Sequence, residues 1–181
     1  MREGDEITLS RDCKAIEIPA GFWTTLPKGT KVRVHQALGG TTTVIVQGGG
    51  SMVRIAAEDA DALGAAPPPR AAASGGAGSV AELVEQELRT CYDPEIPVNI
   101  VDLGLVYDRR LIPMPDGRTD VIVEMTLTAP GCGMGDIIKE DIERKLAALP
   151  GVGDVSVEIV FDPPWDPSHM SEAARLELGM F

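Results

Sequence analysis

Residues 64 to 79 read GAAPPPRAAASGGAGS, and every position except Arg70 is Gly, Ala, Pro or Ser. A stretch without apolar periodicity has nothing to bury, so it reads as a linker. Its proline half is predicted to be extended and its Gly/Ser half flexible, with a span on the order of 20 Å. The 181-residue chain is thereby cut into residues 1–63 and residues 80–181. Each is the size of one small domain.

Charge divides at the same place. The first 64 residues carry 7 basic and 8 acidic side chains, whereas residues 80–181 carry 8 and 20, so the net charge of -12 belongs to the second part. Such a surface repels a phosphate backbone, and with only 4% aromatic residues a base-stacking platform is hard to assemble. Nucleic acid is therefore not an expected partner. The hydrophobic fraction of 44% is ample for packed cores of Val, Ile, Leu and Ala. No run approaches the ~18 apolar residues of a membrane span, and charges are scattered through MREGDEITLSRDCKAIEIPA at the start. The expectation is a cytoplasmic protein with no membrane partner. Cys13, Cys91 and Cys132 are too scattered for a disulfide framework. With only His35 and His169 beside them, and no Cys-x-x-Cys pair, they make no four-ligand zinc set.

In residues 1–63, apolar and polar residues alternate in Val32 to His35, Thr43 to Val46 and Met52 to Ile55, with glycine turns at Gly39-Gly40 and Gly48 to Gly50. With Ile7 to Leu9 and Ala15 to Ile18, these predict a small all-β, open-barrel-like domain. His35 continues a strand alternation and Cys13 reads as a packing residue. The domain is expected to be a scaffold or docking module.

Residues 80–181 open on Ser79-Val80-Ala81-Glu82, a capping box, ahead of Val80, Leu83, Val84 and Leu88 on one helical face. Strands are predicted over Leu105 to Ile112 and Asp120 to Thr128, the second with Val121, Val123, Met125 and Leu127 on its buried side. A helix over Asp136 to Leu149 stops at Pro150-Gly151. A strand over Asp154 to Phe161 places Val155, Val157, Ile159 and Phe161 together, and a last helix is predicted over Ser168 to Leu178. The order is αββαβα, an α+β domain with helices packed on a small mixed sheet.

Chemistry concentrates at Cys132. It stands between a strand and a helix in Thr128-Ala129-Pro130-Gly131-Cys132-Gly133-Met134-Gly135, where the positive end of a helix favours a thiolate and glycines give access. The same features also suit a buried cysteine in a tight turn. A second polar run, Tyr92-Asp93-Pro94-Glu95 to Asp102-Leu103-Gly104, is long for a plain connection, although Asp93 and Asp102 also read as turn caps. A third, Phe161-Asp162-Pro163-Pro164-Trp165, holds one of only two tryptophans, read as a cover for the core.

Tyr92-Asp93-Pro94-Glu95, Asp102-Leu103-Gly104-Leu105-Val106, the Thr-x-Pro-x-Cys of Thr128, Pro130, Gly131 and Cys132, and Pro150-Gly151-Val152 resemble the iron-sulfur assembly domain shared by the SufT, PaaD and cytosolic iron-sulfur targeting families. Phe161 to Trp165, Ser171 to Arg175, Gly179 to Phe181 and Gln36 to Gly40 are most similar to the SufT family. The resemblance implies a non-enzymatic maturation factor that helps deliver iron-sulfur clusters to apo-proteins. Cys132 takes the place of the metal- or cluster-binding cysteine, with Asp93, Glu95, Asp102, Thr128, Pro130, Gly131 and Trp165 as motif residues without an assigned role. One thiolate cannot hold a cluster that takes four, so the cluster would be transient or shared between chains. The implied partners are apo iron-sulfur proteins, other assembly proteins, and a second copy in a homodimer. Two other classes compete. One is a cysteine-dependent hydrolase with Cys132 as nucleophile, for which His169 is the one histidine of the same domain. The other is an adaptor that docks clients without metal.

Overall fold

The computed structural model describes residues 1–65, 78–129 and 133–180. Positions 66–77 of the linker, and Pro130, Gly131 and Cys132 of the Thr-x-Pro-x-Cys motif, lie outside the described residues. The chain divides into two compact units, Met1–Ser74 and Gly75–Phe181.

The first unit is one antiparallel sheet of β1 (Glu6–Thr8), β2 (Cys13–Ile18), β3 (Trp23–Leu26), β4 (Lys31–Leu38), β5 (Thr41–Val46) and β6 (Met52–Ile55). The spatial order is β1-β4-β5-β6-β2-β3. Leu38 pairs with Thr41 across Gly39 and Gly40, whose φ values of 59° and 84° supply the left-handed pair that a two-residue hairpin needs. Val32, Val34, Val44, Val53 and Ile55 build the core on the inner face. Ile7 of β1 and Leu26 of β3 pack on this same cluster from opposite ends of the order, so the sheet curls around it. Two elements go beyond the sequence expectation. Strand β3 escapes an alternation test because only Leu26 of its four residues is buried. The 3-10 helix Ala57–Leu63 closes the core with Ala62 and Leu63.

The second unit comprises α1 (Val80–Leu88), β7 (Val106–Pro113), β8 (Thr119–Met125), α2 (Gly135–Ala147), β9 (Val152–Ile159) and α3 (Glu172–Glu177). Its capping box is formed: Glu82 N–H donates to Ser79 Oγ at 3.4 Å and Ser79 N–H to the Glu82 carboxylate at 2.8 Å. Strand β8 is central, antiparallel to β7 and parallel to β9, with α2 as the crossover. Val121, Val123 and Met125 are fully buried, as are Ile142 and Leu146 of α2. Gly135 starts α2 flush against the sheet. A Cβ there would lie 2.9 Å from Leu127 Cδ1 and 3.3 Å from Ile159 Cδ1.

Two expectations need correction. The helix predicted over Ser168 to Leu178 is broken into a 3-10 turn, Pro167–His169, and α3. Met170 and Ser171 between them are extended, because Ser171 N–H bonds the carbonyl of Asp102 and its hydroxyl caps α3 by accepting the Ala174 N–H. Phe161, expected inside with Val157, lies past the end of β9 and is 47% exposed. No helix among the described residues is long and apolar enough to cross a membrane.

Candidate functional site

Topology brings the polar segments to one end of the three-stranded sheet. Because β7 is antiparallel to β8, its start lies at the end of β8, and because β9 is parallel, its end lies there too. Thr126 N–H donates to Leu105 O at 2.8 Å, and Val160 N–H donates to Met125 O at 2.8 Å. Asp102-Leu103-Gly104 therefore arrives beside the residues that lead into the Thr-x-Pro-x-Cys motif, with the Phe161-to-Trp165 segment leaving on the other side.

The two motif aspartates are anchored. Asp93 is buried and its carboxylate accepts the Glu95 N–H at 2.9 Å, the turn-capping role open to an Asp before Pro. The loop is pinched by an isolated bridge between Tyr92 and Asn99. Glu95 itself is exposed, and its carboxylate has no partner among the described residues. Asp102 accepts from Asn99 Nδ2 at 2.6 Å and from the Arg89 guanidinium at 3.0 and 3.1 Å. Desolvation pushes its carboxyl up, but the Asn99 and Arg89 hydrogen bonds outweigh it and hold the group below the usual carboxylate range.

The tail beyond β9 straps this loop. Trp165 Nε1–H donates to Leu103 O at 2.8 Å, Ser171 N–H to Asp102 O at 2.8 Å, and Tyr107 O–H to Pro163 O at 2.9 Å. The Tyr107 and His169 rings meet edge to face at 5.7 Å. Trp165 is half-buried, so the sequence reading of it as a cover is joined by a specific hydrogen bond.

Two of the three cysteines are among the described residues. Cys13 and Cys91 are each 1% exposed, and burial pushes both thiols up to about 11. Cys91 lies 3.7 Å from Glu87 O and 3.8 Å from Lys145 Nζ. Lys145 favours the thiolate, yet desolvation wins. Cys91 is thus a packing residue at a helix end. Cys132, Pro130 and Gly131 lie outside the described residues, and Thr128 just before them is half-buried. Among the described residues no cluster of three or more His, Cys, Asp and Glu could hold a metal ion.

By alternation Thr126 falls on the face opposite Val121, Val123 and Met125, yet it is 1% exposed and its hydroxyl has no hydrogen-bond partner among the described residues. Strand periodicity carries no signal for such burial, which depends on what covers the far face of the strand end.

Comparison with known proteins places residues 81–159 in the family described as iron-sulfur cluster assembly protein. A Porphyromonas gingivalis protein named Fe-S protein maturation auxiliary factor is 48% identical over 98 residues, which is 54% of this chain and 90% of that protein. The Bacillus subtilis Fe-S protein maturation auxiliary factor YitW is 41% identical, over 56% of this chain and 96% of its own length. The Staphylococcus aureus Fe-S protein maturation auxiliary factor SufT is also 41% identical, over 49% of this chain and 96% of its own length. These relatives are named as maturation factors and not as enzymes. The first unit and the strap from Phe161 onward lie outside the matched family region. With relatives this similar matched over nearly their whole length, the chain belongs to the iron-sulfur cluster assembly protein family.

Proposed function

We propose that the protein is an iron-sulfur protein maturation factor that takes part in cluster delivery to apo-proteins through the Cys132 thiolate. The observation that carries this reading is the contrast among its cysteines. Cys13 and Cys91 are sealed in cores with thiols raised to about 11, so at neutral pH neither presents a thiolate to a metal ion. Cys132 stands in a glycine-flanked segment three residues before α2, and the N-terminus of α2 has no side-chain cap among the described residues. A helix end of that kind stabilises a neighbouring anion, which favours ionisation of the one thiol that sequence places there.

The cluster is cargo in this reading, held between Cys132 and ligands from a client, an assembly protein or a second copy, since cluster iron normally takes four thiolates. Asp93 and Asp102 set the geometry of their own loop and are not assigned as metal ligands in this reading. Anaerobic incubation with iron and sulfide, followed by absorption and Mössbauer spectra, tests the reading. Wild type and Cys91→Ser should both acquire thiolate-to-iron absorption and Cys132→Ser should not. A Cys132→Ser protein that takes up the same cluster, or a Cys132→Ser strain with undiminished cluster-enzyme activity under iron limitation, would overturn it.

A further inference from the structure

The first unit has two sheet edges, and they differ. Edge strand β1 has three residues and carries a charge, Glu6, which accepts a hydrogen bond from Gln47. Short length and charge are what keep a strand edge from pairing with another chain. Edge strand β3, four residues long, carries no charge. Phe22 to Leu26 reads Phe-Trp-Thr-Thr-Leu, without charge or proline and made of residues that favour strands. Its aromatic pair is uncovered: Phe22 is 70% exposed and Trp23 62%, the two most exposed large apolar side chains described.

The pairing of β3 with β2 fixes which of its backbone groups are free. Glu17 N–H bonds Phe22 O, and the register runs Ile16 with Trp23, Ala15 with Thr24, Lys14 with Thr25 and Cys13 with Leu26. In an antiparallel ladder, bonded and non-bonded pairs alternate. Phe22, Thr24 and Leu26 therefore turn their N–H and C=O groups toward β2, and Trp23 and Thr25 turn theirs to the open edge. Neither residue has another backbone partner among the described residues.

We propose that β3 pairs with β3 of a second copy of this chain, antiparallel about a twofold axis at Thr24. That register places Trp23 opposite the partner's Thr25, so the free N–H and C=O groups on each satisfy those on the other. Side chains alternate along a strand, so Phe22 shares the inner face with buried Leu26. In the dimer Phe22 lies across from the Leu26 position of the other copy, and its exposed ring extends the apolar inner face from one sheet to the next. Trp23 gains the other copy's Thr25 on the outer face. A strand whose apolar and hydrogen-bonding groups answer one another under a twofold fits an isologous contact. The lack of charge on β3 removes local repulsion between the two copies. The pairing stands independently of the cluster-delivery reading.

Sedimentation velocity of the full chain across 1–200 μM, an order-of-magnitude range for such contacts, tests it alongside two variants. Trp23→Lys places a charge on the edge, and Thr25→Pro removes an N–H that serves no bond within the sheet. The expected result is a concentration-dependent dimer in wild type, with a dissociation constant raised about tenfold or more in each variant while far-UV circular dichroism is retained. Should Thr25→Pro fail to fold, Trp23→Lys and Thr25→Lys carry the test. A wild type that stays monomeric throughout, a dimer of equal strength in the folded variants, or β3 occupied only by an extended peptide of another protein would each overturn the proposal.

Discussion

Gly104 and His169, 65 positions apart, are packed so closely that a Cβ on Gly104 would lie 2.6 Å from the His169 carbonyl carbon. Gly104 also has a φ of 70°, where an L side chain is strained whatever the space. Gly104→Ala therefore has two costs, the left-handed backbone and a collision with main chain that cannot swing aside. Gly117→Ala is the control, since its φ is 84° but nothing lies within 4 Å of the added carbon. Chemical denaturation should show Gly117→Ala destabilised by about 1 kcal/mol and Gly104→Ala by clearly more than about 2 kcal/mol. Equal losses would mean that His169 does not rest on Gly104.

Removing the indole hydrogen bond should loosen the strap without unfolding the unit. Trp165→Phe keeps an aromatic ring but deletes the donor to Leu103 O, a loss of about 1 kcal/mol. Hydrogen exchange should then rise at the Ser171 amide, whose acceptor is Asp102 O in the same loop. Unchanged exchange there would show that the two strap bonds act separately.

The anchored carboxylate of Asp102 gives a signed pH dependence. Its folded pKa is lowered, so its stabilising effect is present above the unfolded value near about 3.9 and is lost as pH falls through the lower folded value. Asp102→Asn should destabilise by about 1–2 kcal/mol at pH 7, and the gap to wild type should shrink below about pH 4. A gap that widens on acidification would contradict the Asn99 and Arg89 assignment.

Thiol reactivity separates the cysteines by rate. With iodoacetamide at about pH 6–7, below the ordinary thiol value, Cys132 is expected to alkylate first. Cys13 and Cys91 should stay unlabelled until the protein unfolds, because both are buried with thiols near 11. Mass spectrometry that finds Cys91 labelled at the rate of Cys132 would remove the contrast on which the proposed function rests.

Residues 75–181 should fold alone. The capping box at Ser79, the complete three-stranded sheet and the docked tail all lie within that stretch. The fragment is expected to melt cooperatively, with calorimetric and van't Hoff enthalpies in agreement. A molten fragment would mean that its core needs the first unit.

What the sequence determined by itself is local and periodic. Val121, Val123 and Met125 recur every second residue and Ile138, Ile142 and Leu146 every fourth, so β8 and α2 could be placed by alternation and helical spacing. Ser79 and Glu82 marked a helix start because both partners of a capping box lie within one turn. The motif around Cys132 was equally legible, being contiguous. Tertiary structure alone decided which groups meet: Trp165 reaches Leu103 across 62 positions, and Lys145 lies beside Cys91 across 54. Such pairs leave no period in the chain. The first arises where a parallel crossover and an antiparallel hairpin bring the ends of β8 and β9 and the start of β7 to one end of the sheet, the second where α1 packs on α2. The same packing seals Cys91, buries Thr126 and breaks the final helix at Ser171, because whether a polar group is solvated or satisfied depends on neighbours that only the folded chain supplies.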